Sequence, residues 1–266
     1  MNTLSNNQSL SPCSTGLVYN STSGKYPSRA ELLKPNSHIV DSALNRIRKV
    51  GQSVKTTARL HQQETAESGF RFKPAMITCT YAPNQHWCKR DLSDLIHHCR
   101  KYLQRRYKET AFRYTWVAEL QKRGVIHYHV ILWLPKGCTL PKPDKQGWWT
   151  KGSTRIEWVK NAVGYLAKYA SKGSEDGSKF PRGARISGFG GLSAISRCEY
   201  RYWRVPNSVR KVLNPLELFK ATDFDLRKII GGYFNKFTGE FIQGEFAFIL
   251  LNGKPHVVQK KLLLIH

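Results

Sequence analysis

The chain has 266 residues, enough for one hydrophobic core and a small appendage rather than a large multidomain assembly. Its 43 lysines and arginines outnumber its 18 aspartates and glutamates, giving a formal charge of +25 and an isoelectric point near 10. This excess predicts a nucleic-acid partner held through its phosphates, and the lack of an apolar stretch of bilayer length argues against a membrane protein.

The first seventy residues predict two segments outside a catalytic domain. Residues 1–37 are rich in Ser, Asn and Thr and predict a flexible tail. Residues 38–70 are basic, and the spacing of Ile39, Ala43 and Ile47 predicts a helix that serves as an accessory binding segment or caps the core. The start lacks the charged and apolar runs of a signal peptide, which together with six unpaired-looking cysteines predicts a cytoplasmic protein.

The sequence between residues 112 and 134 predicts a β-hairpin. Residues 112–121 and 125–134 are rich in aromatic and β-branched side chains, and a three-residue loop ending in Gly124 separates them. Glycine suits the left-handed conformation with which such loops commonly end. One face of the second strand is apolar and is expected to pack on the core, with side chains from Ile126, Tyr128, Val130, Leu132 and Leu134.

The same pairing brings three candidate metal ligands together on the other face. Closing the loop at Gly124 sets Glu119 across from His127, and the alternation of side chains points His129 the same way. Two imidazoles and one carboxylate leave coordination positions open and suit magnesium, manganese or zinc. An isolated His-x-His pair is more typical of ordinary strand histidines, but the carboxylate opposite favours a metal site. We therefore expect this face to be free for chemistry with a divalent cofactor, Mg²⁺ or Mn²⁺, that polarises a phosphodiester.

Residues 157–172 predict a helix that carries two Tyr-x-x-Lys units. Tyr165 and Tyr169 lie one turn apart, and Lys168 and Lys172 follow them by three residues each. A phenol needs neighbouring positive charge or a base to attack at neutral pH, which makes all four residues catalytic candidates. The alternative is that the tyrosines pack with their hydroxyls at the rim. The apolar stripe of this helix comprises Val159, Val163, Leu166 and Ala170.

Together these motifs resemble the HUH endonucleases, and more narrowly the rolling-circle replication initiators of the phage gene A or gene II type. HYH at 127–129 resembles the histidine motif of that class, and YLAKYASK at 165–172 resembles its two-tyrosine motif. Glu119 matches the acidic ligand upstream, and MITCTY at 76–81 resembles the first-strand motif. The resemblance spans roughly residues 75–175.

The resemblance implies an α+β fold, an antiparallel β-sheet with helices packed on one face in an RRM-like or ferredoxin-like topology. It implies that Glu119, His127 and His129 hold the ion and that one of the two tyrosines attacks single-stranded DNA at a replication origin, assisted by the lysines. The products would be a 5′-phosphotyrosine and a 3′-hydroxyl that primes rolling-circle synthesis, before the strands are rejoined. No nucleotide-binding motor motif is present, so a host helicase and replication machinery in a bacterial cytoplasm would be the partners.

Basic and aromatic residues beside these motifs are the expected DNA contacts. Arg123 lies in the hairpin loop, and Trp148, Trp149 and Arg155 lie in the run GWWTKGSTRIEW. Unpaired bases could stack on the tryptophans while arginines bind phosphates, although tryptophans also commonly anchor loops.

The expected endonuclease domain covers residues 71–220. Residues 221–266 predict further short strands that extend the sheet or form a small add-on, with a turn at residues 235–239.

Three other functions fit parts of the pattern. A transposase of the same superfamily would share both motifs and differ only in its DNA substrate. A nonenzymatic nucleic-acid-binding protein would explain the charge and treat the histidines and tyrosines as packing residues. A relaxase fits less well, because such enzymes usually bring a third histidine where this hairpin offers Glu119.

Overall fold

The computed structural model describes residues 37–39, 42–109, 111–121, 124–172, 180–213, 226–229, 232–236 and 238–259. Only the backbone is described for residues 37–39, 42–44, 171, 172 and 248. Residues 1–36 of the expected tail and Arg123 of the hairpin loop lie outside the described residues.

Five antiparallel strands form the central sheet, in the order β5-β2-β4-β3-β6. Their bounds are β2 Phe72–Tyr81, β3 Arg113–Leu120, β4 Ile126–Pro135, β5 Gly152–Trp158 and β6 Ser187–Gly190, and a short β1, Ser37–Ile39, precedes them. The helices are α1 Ser42–Glu67, α2 Asp91–Tyr107, α3 Ala162–Lys172, α4 Ala194–Arg204 and α5 Asn207–Arg210. The predicted α+β class and antiparallel sheet are confirmed.

The helices pack on both faces of this sheet, so the prediction that they occupy one face was wrong. Helix α2 buries its apolar side in one cluster, with Leu95 and Cys99 of the helix beside Ile77, Val130 and Leu132 of the sheet. Helices α1 and α3 cover part of the opposite face, where the buried cluster comprises Val54, Ala58, Met76, Val117, Ile131, Trp133, Val159, Ala162, Leu166 and Ala170.

Strand β4 explains this two-sided packing. Its histidine face continues from His127 and His129 into Ile131 and Trp133, which are 0% and 2% exposed. That face is therefore polar near the hairpin loop and apolar at the other end of the strand, and the apolar end must be covered. The histidine face is consequently only partly open, in contrast to the expectation from sequence.

Helix α3 begins at Ala162 rather than at Glu157, because Glu157 and Trp158 end the strand β5. The side chain of Asn161 caps the helix, since its Oδ1 accepts the backbone N–H of Gly164 at 2.8 Å. The predicted apolar stripe is present, with Leu166 and Ala170 buried on the sheet.

Helix α1 carries a buried histidine that packs on the sheet. The His61 side chain is 0% exposed, its ring lies 4.6 Å from that of Trp133, and its Nε2 lies 3.2 Å from the carbonyl oxygen of Tyr114. Burial lowers the pKa of His61 to about 4, so the ring is neutral at pH 7 and its Nε2–H donates to that carbonyl. One turn on, Glu64 pairs with Arg113 of β3, which fixes α1 on the sheet.

We expect the free energy of unfolding to fall as the pH drops from about 6.5 to about 4, because the unfolded chain takes up a proton at His61 that the folded chain refuses. The loss amounts to about 3 kcal/mol. Urea unfolding across this pH range measures it, with His61→Gln as the comparison because glutamine keeps an N–H donor but does not titrate. An equally steep decline in His61→Gln would contradict the assignment.

The C-terminal strands do not join the central sheet in the part of the chain that the structure describes. They are β7 Leu226–Ile229, β8 Gly232–Asn235, β9 Phe241–Gln243, β10 Phe246–Leu251 and β11 Lys254–Gln259. They form two separate three-stranded sheets, β7-β8-β9 and β1-β11-β10. The predicted turn is present after Asn235, where Gly239 donates its N–H to the Asn235 carbonyl at 2.9 Å. No helix among the described residues is long and apolar enough to cross a membrane.

Candidate active site

The hairpin has the register that the sequence predicts. Glu119 lies opposite His127, and Val117 lies opposite His129. Gly124 has φ +77°, in the left-handed region, and donates its N–H to the carbonyl of Gln121 at 2.8 Å. The short loop and the alternation of side chains therefore bring Glu119 and both histidines onto one face.

A band of polar side chains crosses this face from β5 to β3. Thr78 lies opposite both Arg155 and His129, and Thr80 lies opposite Ser153 and His127. Because opposed residues in antiparallel strands share a face, the band places hydroxyl, carboxylate, guanidinium and imidazole groups next to one another.

Two of the three candidate metal ligands contact each other directly. His129 Nε2 lies 3.0 Å from Glu119 Oε2, and the rings of His129 and His127 lie 6.3 Å apart. The other nitrogen of His129, Nδ1, lies 3.4 Å from the Thr78 hydroxyl. Across the described ranges, no three His, Cys, Asp or Glu side chains are arranged as a group that could hold a metal ion. The donors are therefore assembled on one patch, with Glu119 and His129 joined by a hydrogen bond.

Helix α3 places one of the two tyrosines on this patch. The ring of Tyr169 is stacked on that of His129, with centroids 3.6 Å apart and planes 12° apart. Tyr165 lies one turn earlier and is 45% exposed. His129, by contrast, is only 4% exposed. The structure thus brings Tyr169, and not Tyr165, into ring contact with a candidate ligand.

The surroundings of Tyr169 hold its phenol in the protonated form. Burial raises the pKa of Tyr169, and the negative charges of Glu119 and Glu157 raise it further, while Arg155 acts in the opposite direction. Attack by this oxygen therefore requires a base, or compensation of the neighbouring carboxylates by added positive charge.

The predicted assisting lysines have no established contact with the tyrosine hydroxyls. Lys168 is exposed on α3, and Lys172 is the last residue of that helix with its side chain outside the description. Arg155 is the cation whose charge acts on Tyr169.

The four predicted DNA contacts have different surroundings. Arg155 projects from β5 on the histidine face, pairs with Glu157 at 2.7 Å and leaves 75% of its side chain exposed. Trp148 is half-buried beside α2, with its ring parallel to His98. Trp149 is 2% exposed, and its indole N–H donates to the Thr80 carbonyl at 3.2 Å. The prediction that Trp149 stacks on DNA was therefore wrong: its ring fills the core.

We expect Trp149→Ala to lower the free energy of unfolding by about 3–5 kcal/mol, because it leaves a cavity against Tyr81 and Tyr128 and removes a hydrogen bond. Trp148→Ala is the matched comparison and is expected to cost less, since that ring is only partly buried. Chemical unfolding measures both. Equal stability of Trp149→Ala and the parent chain would contradict the core assignment.

Sequence reasoning missed two residues of this site. Thr78 contacts His129, and Glu157 acts on Tyr169 from strand β5. The alternation of Ser153, Arg155 and Glu157 on one side of GSTRIEW was the available signal, but it was interpreted as the approach to a helix.

One comparison with known proteins gives a match. Residues 74–174 match the family model of the replication-associated proteins of the ORF2 and gene II protein type. No curated protein and no solved structure matches the chain. The matched segment runs from β2 through α3 and includes Glu119, both histidines and both tyrosines. The match is consistent with a rolling-circle replication initiator.

Proposed function

We propose that this protein is a replication initiator that nicks single-stranded DNA at an origin by metal-assisted attack of a tyrosine and then rejoins strands. The observation that carries the proposal is the stacking of Tyr169 on His129, which is itself hydrogen-bonded to Glu119. A phenol, two imidazoles and a carboxylate are thereby gathered on one patch of a strongly basic protein. The match to replication-associated proteins covers the same residues.

The donor set fits a hard or borderline divalent ion, Mg²⁺ or Mn²⁺, held by Glu119, His127 and His129. In the structure the Glu119 carboxylate accepts the Nε2–H of His129, and binding of an ion by both groups would release that proton. When bound, the ion would supply Lewis-acid polarisation of the scissile phosphate. Thr78 is placed to orient His129 through Nδ1, the role that hydroxyl and carboxylate partners play behind ligating histidines.

Tyr169 is the proposed nucleophile for the first cleavage. Its phenol loses a proton to a base or to solvent, and its oxygen forms a bond to phosphorus while the bond from phosphorus to the 3′-oxygen breaks. The leaving 3′-oxygen takes up a proton and becomes the primer end, while the 5′-phosphate remains on the tyrosine. Arg155, the cation that favours the ionised form of Tyr169, would also bind a flanking phosphate.

Tyr165 is the proposed second nucleophile. It lies on the same helix one turn away, and its exposure leaves it accessible to a second strand. Attack at the regenerated origin by Tyr165 would free the strand end held by Tyr169 to be rejoined. Unwinding of the duplex would be left to a host helicase.

The test is covalent attachment in a denaturing gel. The purified chain is mixed with labelled single-stranded fragments of its own replicon and Mn²⁺, with EDTA as the control. We expect a labelled protein band that requires the metal and one particular fragment. Tight binding to every fragment without any covalent band would instead support a nonenzymatic DNA-binding protein.

A further inference from the structure

A cleft of about 710 Å³ opens between α2 and the β3–β6 side of the central sheet. The loop before α2, the first half of α2 and residues 183–189 line it, and the rings of Trp116 and Tyr128 are at its base. Trp116 packs in the cluster that contains α2, whereas its neighbour Val117 packs in the cluster that contains α3. The cleft therefore lies on the face of the sheet opposite the candidate active site.

Two glycines of β6 leave the aromatic rings at this edge uncovered. A Cβ at Gly188 would lie 2.6 Å from Nε1 of Trp116, and a Cβ at Gly190 would lie 2.5 Å from Cε1 of Tyr114. The two rings thus lie directly over the backbone of β6. A larger residue at either glycine would displace a ring that lines the cleft.

The cleft is lined by cations. Lys89, Arg90, Arg100 and Arg185 line it, and none of its described lining residues is acidic. Arg100 is held in place over the ring of Phe112, with 5.1 Å between the guanidinium carbon and the ring centroid. Four positive charges without a lining carboxylate favour an anionic ligand.

The aromatic residues specify the kind of anion. Trp87 and Tyr114 are half-buried, so part of each side chain is accessible from the cleft. The Trp87 indole is fixed by donating its N–H to the Tyr128 hydroxyl at 2.7 Å. Aromatic faces beside arginines are the usual platform for unpaired bases and their phosphates. The volume falls in the range of about 300–1,000 Å³ typical of small-ligand sites, which suits one or two nucleotides and not a duplex.

We propose that this cleft is a second DNA-binding site, which holds a short unpaired stretch of strand on the face opposite Glu119, His127 and His129. The proposal rests on the proposed function only in taking DNA as the ligand, and it requires no cleavage chemistry. A strand bound there would keep the DNA on the protein while the candidate active site releases and re-engages an end.

Fluorescence anisotropy with a short labelled single strand of mixed sequence measures the affinity of this site, in EDTA and at several salt concentrations. We expect Arg100→Ala/Arg185→Ala to weaken binding about tenfold or more and to reduce the salt slope by about 1.4, for two lost phosphate contacts. The matched control, Lys136→Ala/Lys254→Ala, removes the same charge from exposed positions that do not line the cleft. Equal losses in the two double variants would overturn the proposal.

Photocrosslinking of the unmodified protein tests the location without any variant that alters folding. A single strand carrying 5-iododeoxyuridine is irradiated with the protein, and crosslinked peptides are identified by mass spectrometry. We expect adducts on the peptides that contain Trp87 or Tyr114. Crosslinks confined to the peptides of α3 and β5 would overturn the proposal. Neither measurement depends on nicking, so failure of the nuclease assignment would leave this result unaffected.

Discussion

Tyr169→Phe is expected to abolish the first covalent attachment to DNA, with a loss of rate on the order of 10⁴-fold or more. The substitution removes only the nucleophilic oxygen. The phenylalanine ring can still stack on His129 and cover the same part of the sheet. We therefore expect the affinity for single-stranded DNA and the free energy of unfolding to stay close to those of the parent chain.

Tyr165→Phe is the matched control, because it makes the same change one turn away on the same helix. Quantified denaturing gels with a single-stranded origin fragment should show that Tyr165→Phe keeps the first attachment within a few-fold, while the double variant shows none. If Tyr165→Phe abolishes the band and Tyr169→Phe keeps it, the roles of the two tyrosines are reversed. Attachment by the double variant would exclude both.

His127→Ala is expected to remove metal-dependent cleavage, with a loss of about 10³-fold, because several kcal/mol of charge stabilisation at the phosphate would be lost with the ion. Glu119→Gln is expected to act in the same way, since it removes the only negative charge of the proposed donor set while keeping the size of the side chain. The measurement is the rate of covalent attachment as Mn²⁺ is titrated.

His86→Ala is the control for the histidine substitution, because His86 is exposed and lies outside the polar band. It should keep the parent dependence on Mn²⁺. A His127→Ala protein that nicks with an unchanged dependence on Mn²⁺ would reject the hairpin as the metal site. Binding of the origin fragment in EDTA serves as the check that the variant still folds.

The register of the hairpin could be predicted because two local rules determine it. The number of residues between the strands fixes which pair closes the loop, and the alternation of side chains then fixes the face. Glu119, His127 and Gly124 lie as these rules require. The sequence could therefore assemble the candidate ligands without any knowledge of the rest of the fold.

The tyrosine that reaches the histidines could not be chosen from its motif, because that depends on how α3 packs. At about 100° per residue, Tyr169 lies about 60° from Leu166 around the helix axis, and Tyr165 lies about 100° from it. Leu166 is fully buried against the sheet, so Tyr169 lies at the edge of the buried stripe and Tyr165 projects outward. The repeated Tyr-x-x-Lys spacing treats the two tyrosines as equivalent, and packing makes them different.

The helices on the second face were missed for a related reason. The histidines drew attention to the first half of one side of β4, while Ile131 and Trp133 continue the same side as apolar residues. A strand with apolar residues on both sides must be covered on both. Trp149 was misassigned because a tryptophan in a basic run has the same local sequence whether it binds DNA or fills the core. Its burial depends on Tyr81 and Tyr128, which lie far away in the chain.

The most direct test of the central claim is to identify the amino acid that carries the DNA after cleavage. Trypsin cuts after Lys160, Lys168 and Lys172, so Tyr165 falls in the peptide NAVGYLAK and Tyr169 in the peptide YASK. The covalent complex formed with Mn²⁺ is digested with nuclease and trypsin and analysed by mass spectrometry. We predict that the first cleavage leaves a nucleotide phosphate on YASK. An adduct on NAVGYLAK alone, or on neither peptide, would contradict the assignment of Tyr169 as the nucleophile.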